Sequence, residues 1–200
     1  GVVENNAKIK LGESVVIFGA GGVGLNIVQA ANLLSAYPII AVDVHDNRLE
    51  LAKTFGATHT INSKKINAKA MIKEIMKGPG VDAFIDNTGQ TSIIEMGYEL
   101  TSPKGRIVLV GVPRKGNTVN IYSLPLHFGK TISGSHGGET IPHKDIPRYQ
   151  KLLDAGRIQL KPLITDHFKL EEINTAIQKM RSGEIAGRCL IKMDFQPLYE

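Results

Sequence analysis

Two unbroken apolar runs of strand length, Val15-Val16-Ile17-Phe18 and Ile39-Ile40-Ala41-Val42, carry no polar alternation. A strand of that kind must be covered on both faces, which restricts it to a sheet buried between two layers. Further strand-length segments are expected at Thr58–Ile61, Val81–Ile85, Arg106–Val112 and Lys130–Ser133. Helical spacing separates them, over Val23–Leu34, Asp46–Phe55, Ile66–Met76 and Ser92–Leu100. Asp46 is the expected helix cap and Gly56 the expected C′ residue of the second helix. Alternation of this sort predicts an α/β fold, a doubly wound parallel sheet with helices on both faces. After it come a helix from Asp145 to about Ala155, a loop at Lys161–Ile164, a helix over Glu171–Arg181 and a strand near Arg188–Met193.

The first strand runs directly into Gly19-Ala20-Gly21-Gly22-Val23-Gly24, which opens the first helix. The spacing G-x-G-x-x-G is unspecific by itself; its position between a strand and a helix carries the mechanism. Gly19 permits the tight turn, Gly21 lets a pyrophosphate approach the backbone, and Gly24 allows the helix to pack closely on the strand. The free N–H groups and dipole of the helix then face the phosphates. Asp43 ends the second strand 19 residues after Gly24. A carboxylate there accepts two hydrogen bonds from an adenosine ribose and repels a 2′-phosphate. The bland alternative is a strand-end Asp that only serves the helix beginning near Asp46. Together these features predict a Rossmann domain that binds NAD(H) in preference to NADP(H).

Composition excludes several classes. Hydrophobic residues make up 42% and charged residues 22% of the 200, the balance of an ordinary globular chain. The apolar runs are too short to span a bilayer, and no secretory signal pattern opens the chain, so a cytoplasmic setting is expected. The net charge of +5 comes from scattered Lys and Arg, densest at Lys64-Lys65 with Lys69 and Lys73, so no nucleic-acid or membrane partner is expected. Cys189 is the single cysteine, which leaves no disulfide framework and no multi-cysteine zinc lobe in this chain. The six histidines, His45, His59, His127, His136, His143 and His167, form no H-x-x-H or H-x₃-H pair.

Several stretches resemble the medium-chain, zinc-dependent alcohol dehydrogenase family: Val16–Gly24, Ile40–Arg48, Leu51–Asn62, Val81–Gly89, Gly105–Pro113 and Ile164–Lys192. The most specific are Ala41-Val42-Asp43-Val44 with Arg48 and Phe55-Gly56-Ala57-Thr58, and Met180-Arg181-Ser182-Gly183-Glu184 with Arg188. The resemblance implies a linking helix over residues 1–11, an NAD-binding domain over 12–156, and a segment over 157–200 that returns to a catalytic domain not contained in the chain.

It also implies site residues. Gly19, Gly21, Gly22, Val23 and Gly24 would hold the pyrophosphate and the near face of the nicotinamide. Asp43 and Arg48 would hold the adenosine ribose, and Thr88 and Gly89 would line the ribose side. Val110, Gly111 and Val112 would border the nicotinamide, with Ser135 and His136 completing its carboxamide pocket. Arg188 would reach back to the pyrophosphate with a bidentate guanidinium.

The family transfers hydride between an alcohol or aldehyde (or ketone) and NAD. Its zinc ligands lie outside these residues, so the isolated chain is expected to carry no catalytic and no metal-ligating residue. Family dimers pair edge strands, which points to Thr118–Ile121 and Lys130–Ser133 as a homodimer surface. Two rivals stay open: a non-catalytic NAD-binding or sensing module, and an NADPH-dependent quinone or enoyl reductase of the same superfamily, against which Asp43 argues. A short-chain reductase is out, because neither Tyr98 nor Tyr149 has a lysine four positions on, and a P-loop is out, because Leu25-Asn26 follows Gly24.

Overall fold

The computed structural model describes residues 1–193. Six strands form one parallel sheet: β1 (Val15–Phe18), β2 (Ile39–Asp43), β3 (His59–Asn62), β4 (Val81–Asp86), β5 (Thr101–Leu109) and β6 (Thr131–Gly134). Their order is β3-β2-β1-β4-β5-β6. This is the doubly wound arrangement, and its switch point lies between β1 and β4, where successive connections leave in opposite directions. The helices are α1 (Gly22–Leu33), α2 (Asp46–Thr54), α3 (Ala68–Met76), α4 (Thr91–Leu100), α5 (Pro142–Asp154) and α6 (Ile173–Ser182).

The unbroken apolar runs are explained by two cores, one on each face. Alternation along a strand sends Val15, Ile17, Ile39 and Ala41 into the core with Leu25, Val28 and Leu49. The intervening Val16, Phe18, Ile40 and Val42 join Ile72, Phe84 and Tyr98 on the other face. All nine residues of β1 and β2 are buried. Each fully buried aliphatic side chain here contributes about 1.5–3 kcal/mol, so one polar residue in either run would expose a cost on one face or the other.

Local signals end the elements. Past α2, Gly56 donates to Lys53 O at 3.0 Å and Ala57 to Ala52 O at 3.0 Å, the paired bonds of a Schellman cap on the expected glycine. Asn67 caps α3 by accepting from Ala70 N at 3.1 Å. Lys130, buried just before β6, caps the end of α4 through Nζ bonds of 2.7 Å to Tyr98 O and Thr101 O.

Several elements differ from the sequence reading. Residues 1–11 are not one helix: a π-helical turn covers only Val2–Asn6, and Lys8 at φ 47° breaks it. Asp46 is the first residue inside α2 rather than its cap; His45 is the cap position. Asp46 instead accepts from Asn62 Nδ2 and Lys65 Nζ, which hold its carboxyl below the ordinary value. β5 stops at Leu109 because Val110 and Gly111 both turn their N–H groups onto Asp86 O. Thr118–Ile121 is not a strand; Ile121 packs its side chain against the second core instead. The expected loop at Lys161–Ile164 is a 3₁₀ turn at Lys161–Leu163 that leads into a strand, β7 (Ile164–Lys169). β7 pairs parallel with β8 (Arg188–Lys192) in a separate two-stranded sheet. The part of the returning segment beyond residue 193 lies outside the described residues.

Candidate functional site

The carboxyl ends of β1, β2, β3 and β4 open into a cleft of about 630 Å³. Gly19, Gly21, Gly22, Val23, Gly24, Asp43, Arg48, Thr88 and Arg188 all border it, so nine of the expected residues meet in one place. The sequence brings them together for a topological reason: the sheet order puts the ends of β2, β1 and β4 side by side at the switch point.

The glycines divide the work as their spacing implies. Gly19 takes φ +93° as the chain leaves β1. A Cβ on Gly24 would fall 2.0 Å from Gly19 O, so α1 can lie this close to the turn only with glycine there. A Cβ on Gly21 would meet nothing within 4 Å, which leaves the open cleft as the only thing a side chain there would fill. No side chain caps α1, and the N–H groups of its first turn have no carbonyl within the helix to bond. Such a helix end attracts an anion.

Asp43 sits on the wall beside this turn with 4% of its side chain exposed. Its Oδ2 accepts from Ala20 N at 2.7 Å, and its Oδ1 from Val44 N at 2.8 Å and His45 N at 3.0 Å. A carboxylate offers about four lone-pair positions, so three are already taken and the free one is on Oδ2. One further hydroxyl bond to Asp43 would fill the free position, and a second, as its sequence position suggested, would share an oxygen that is already bonded. Arg48 Nη1 stands 3.7 Å from Oδ2, and its Nε is buried with no protein partner. The β2 end therefore offers one free acceptor beside one unused donor.

Asn87, at the end of β4, donates from Nδ2 to Gly19 O at 3.3 Å, while its Oδ1 is buried without a partner. Unpaired buried polar atoms are uncommon and costly, and both of those found among the described residues border the same cleft. Arg188 extends from β8 across Gly22, where a Cβ would lie 2.2 Å from its Nε. The second sheet thus delivers a cation to the open end of α1.

Thr88, Gly89 and Val112 border an adjoining cavity of about 460 Å³, together with Gln90, Arg114 and Asn117. Val110 and Gly111 form the turn behind it, held by 2.8 and 2.9 Å bonds to Asp86 O. Ser135 and His136 are not brought to either space. Ser135 Oγ donates to Asn6 Oδ1 at 2.8 Å, and exposed His136 caps the short turn at Gly137–Glu139.

Phe18, Val44, Ser63, Ile66, Asn67, Ala68, Lys69, Asn87, Gln90, Ile93 and Met96 also border the main cleft, and sequence reasoning did not single them out. Ser63 and Asn87 each follow the end of a strand, the position where open α/β sheets bind ligands, and that rule was enough to find them. The others have no motif and depend on packing.

Among the described residues, no three His, Cys, Asp or Glu side chains gather as a metal site, so these residues do not fit zinc. Among the described residues, no helix is long and apolar enough to cross a membrane. Cys189 Sγ lies 3.7 Å from Met180 Sδ, an ordinary packing contact.

Comparison with known proteins agrees with this geometry. Residues 22–155 match the family model for zinc-binding dehydrogenases. S-(hydroxymethyl)glutathione dehydrogenase of Paracoccus denitrificans is 33% identical over 193 residues, covering 92% of this chain and 51% of that protein. Alcohol dehydrogenase 1 of Pisum sativum is 35% identical over 197 residues, covering 97% and 51%. The crystal structure of benzyl alcohol dehydrogenase from Acinetobacter calcoaceticus superposes with a TM-score of 0.87 at 39% identity, over 94% of this chain and 52% of that one. The chain spans about half the length of these relatives. It is a member of the zinc-binding dehydrogenase family.

Proposed function

We propose that the cleft binds NAD(H) and that the chain is the cofactor-binding portion of a zinc-dependent alcohol dehydrogenase. The observation that carries the reading is the β2 end, where Asp43 keeps one acceptor free beside the unpartnered Nε of Arg48. A ribose diol matches that pair: one hydroxyl donates to Asp43 and the other accepts from Arg48. A 2′-phosphate would set its charge against the buried carboxylate, which favours NAD(H) over NADP(H). Gly21, Gly22 and Val23, with Arg188 across from them, would hold the pyrophosphate, and Thr88, Gly89 and Val110–Val112 would line the nicotinamide half.

A nicotinamide bound in the cleft would supply the hydride chemistry. This chain's own residues bind the cofactor, orient it and set its preference. The reading takes residues 12–156 as the cofactor domain and 157–200 as a separate element, supported by the division between the six-stranded and the two-stranded sheet. It also takes the protein as cytoplasmic and as a homodimer paired through β6, which forms one of the two outer edges of the sheet.

The function predicts binding without turnover: the purified chain binds NADH, yet NAD with alcohols and added zinc yields no NADH absorbance. Zinc-dependent formation of NADH by this polypeptide alone would contradict it.

A further inference from the structure

Asp86 is wholly buried, at 0% exposure, and lines neither cavity. It ends β4, next to the switch point. Oδ1 accepts from Thr88 N at 2.9 Å and from the Thr88 hydroxyl at 2.6 Å, while Oδ2 accepts from Gly89 N at 2.9 Å. Its main-chain oxygen accepts from Val110 N at 2.8 Å and Gly111 N at 2.9 Å. One residue thus ties down two loops, the one after β4 through its side chain and the one after β5 through its backbone.

Those loops also interlock sterically. Gly89 has φ +68°, and a Cβ there would lie 2.6 Å from Val112 O; a Cβ on Gly111 would lie 2.3 Å from Gly89 N. The space between them has no tolerance for a shift. A buried charge is costly unless hydrogen bonds satisfy it. Here every side-chain partner is a donor and both oxygens are used, so the site calls for a carboxylate. An asparagine would offer a single acceptor atom and turn its amide against one of the donors.

We propose that Asp86 is the positioning residue for the nicotinamide half of the cofactor. It holds Thr88 and Gly89 against Val110–Val112, and so builds the surface on which the ring and its ribose rest, while touching neither. The inference rests on the NAD(H) reading above and adds a division to it. The β2 end, with Asp43 and Arg48, governs the adenosine half, and Asp86 governs the other half through two loops.

The test uses Asp86→Asn with two probes, NADH and AMP, titrated against the whole chain. AMP reports the adenosine half alone. The variant is expected to bind NADH about tenfold more weakly, the loss of one charged hydrogen-bond set, while AMP affinity stays within about twofold. The change in nicotinamide emission that accompanies NADH binding in the wild type should shrink as well. Gly89→Ala keeps the carboxylate but strains the same interlock, and it should give the same split; it decides the matter if Asp86→Asn does not fold. Parallel loss of both probes in a folded variant, or NADH binding unchanged, overturns the inference and leaves the cofactor reading standing. A wild-type chain that binds neither NADH nor AMP overturns both.

Discussion

Ala20 and Asp43 meet across adjacent strands, so the carboxylate at the end of β2 also pins the glycine turn at the end of β1. That double duty was not legible in the sequence. The glycine spacing and the Asp could be read because each is a local pattern with a mechanism attached. The three N–H groups that occupy Asp43 depend on how two strands and a turn come together, and so does the unpartnered Nε of Arg48. The coupling shapes the prediction for Asp43→Asn. The amide oxygen can keep the bonds to Val44 and His45, but its Nδ2 then faces the Ala20 N–H, donor against donor. NADH binding should weaken about tenfold, and NADPH binding should weaken less because the repulsive charge is gone. The ratio of the two dissociation constants is the readout, and a ratio equal to that of the wild type would contradict the role given to Asp43.

Among the elements, the continuous apolar runs and the helical spacings were legible in the sequence, and two short polar segments were not. β7 was missed because Ile164-Thr165-Asp166-His167-Phe168-Lys169 alternates between half-buried and exposed residues and carries polar groups throughout. Its partner β8 lies well along the chain, and only the pairing makes it a strand. Conversely, Thr118–Ile121 has the alternation of an edge strand but pairs with no strand; the Asn120 N–H donates instead to Glu95 Oε1 at 2.7 Å, and the segment stays irregular.

The position of β8 matters for the site, because it carries Arg188. The turn leading into it is docked on α2: Asn47 Nδ2 donates to Gly183 O and Glu184 O, each at 3.0 Å. A Cβ on Gly183 would fall 2.1 Å from the His45 ring, and its φ is +81°. Gly183→Ala should therefore destabilise the protein by about 1–3 kcal/mol and weaken NADH binding through a displaced Arg188. Thermal melting and an NADH titration check both effects. A variant with unchanged melting and affinity would contradict the docking role.

At the scale of the whole molecule, the unbroken apolar runs implied a parallel sheet covered on both faces, and the two cores supply that cover; the order β3-β2-β1-β4-β5-β6 is set by long-range packing that no local run encodes. The same order gathers the glycine turn, Asp43 and Thr88 at one end and leaves β6 at an outer edge. Thr131, Ser133 and Gly134 of that strand are exposed. An open edge is a pairing surface, and a dimer mass by sedimentation equilibrium is expected; a monomer at high concentration would contradict it. The cofactor and its preference govern everything else at the site. The most direct test is a pair of fluorescence titrations of the chain, one with NADH and one with NADPH. Saturable binding of NADH, tighter than that of NADPH by about tenfold or more, is expected. Equal affinities, or a preference for NADPH, would contradict it.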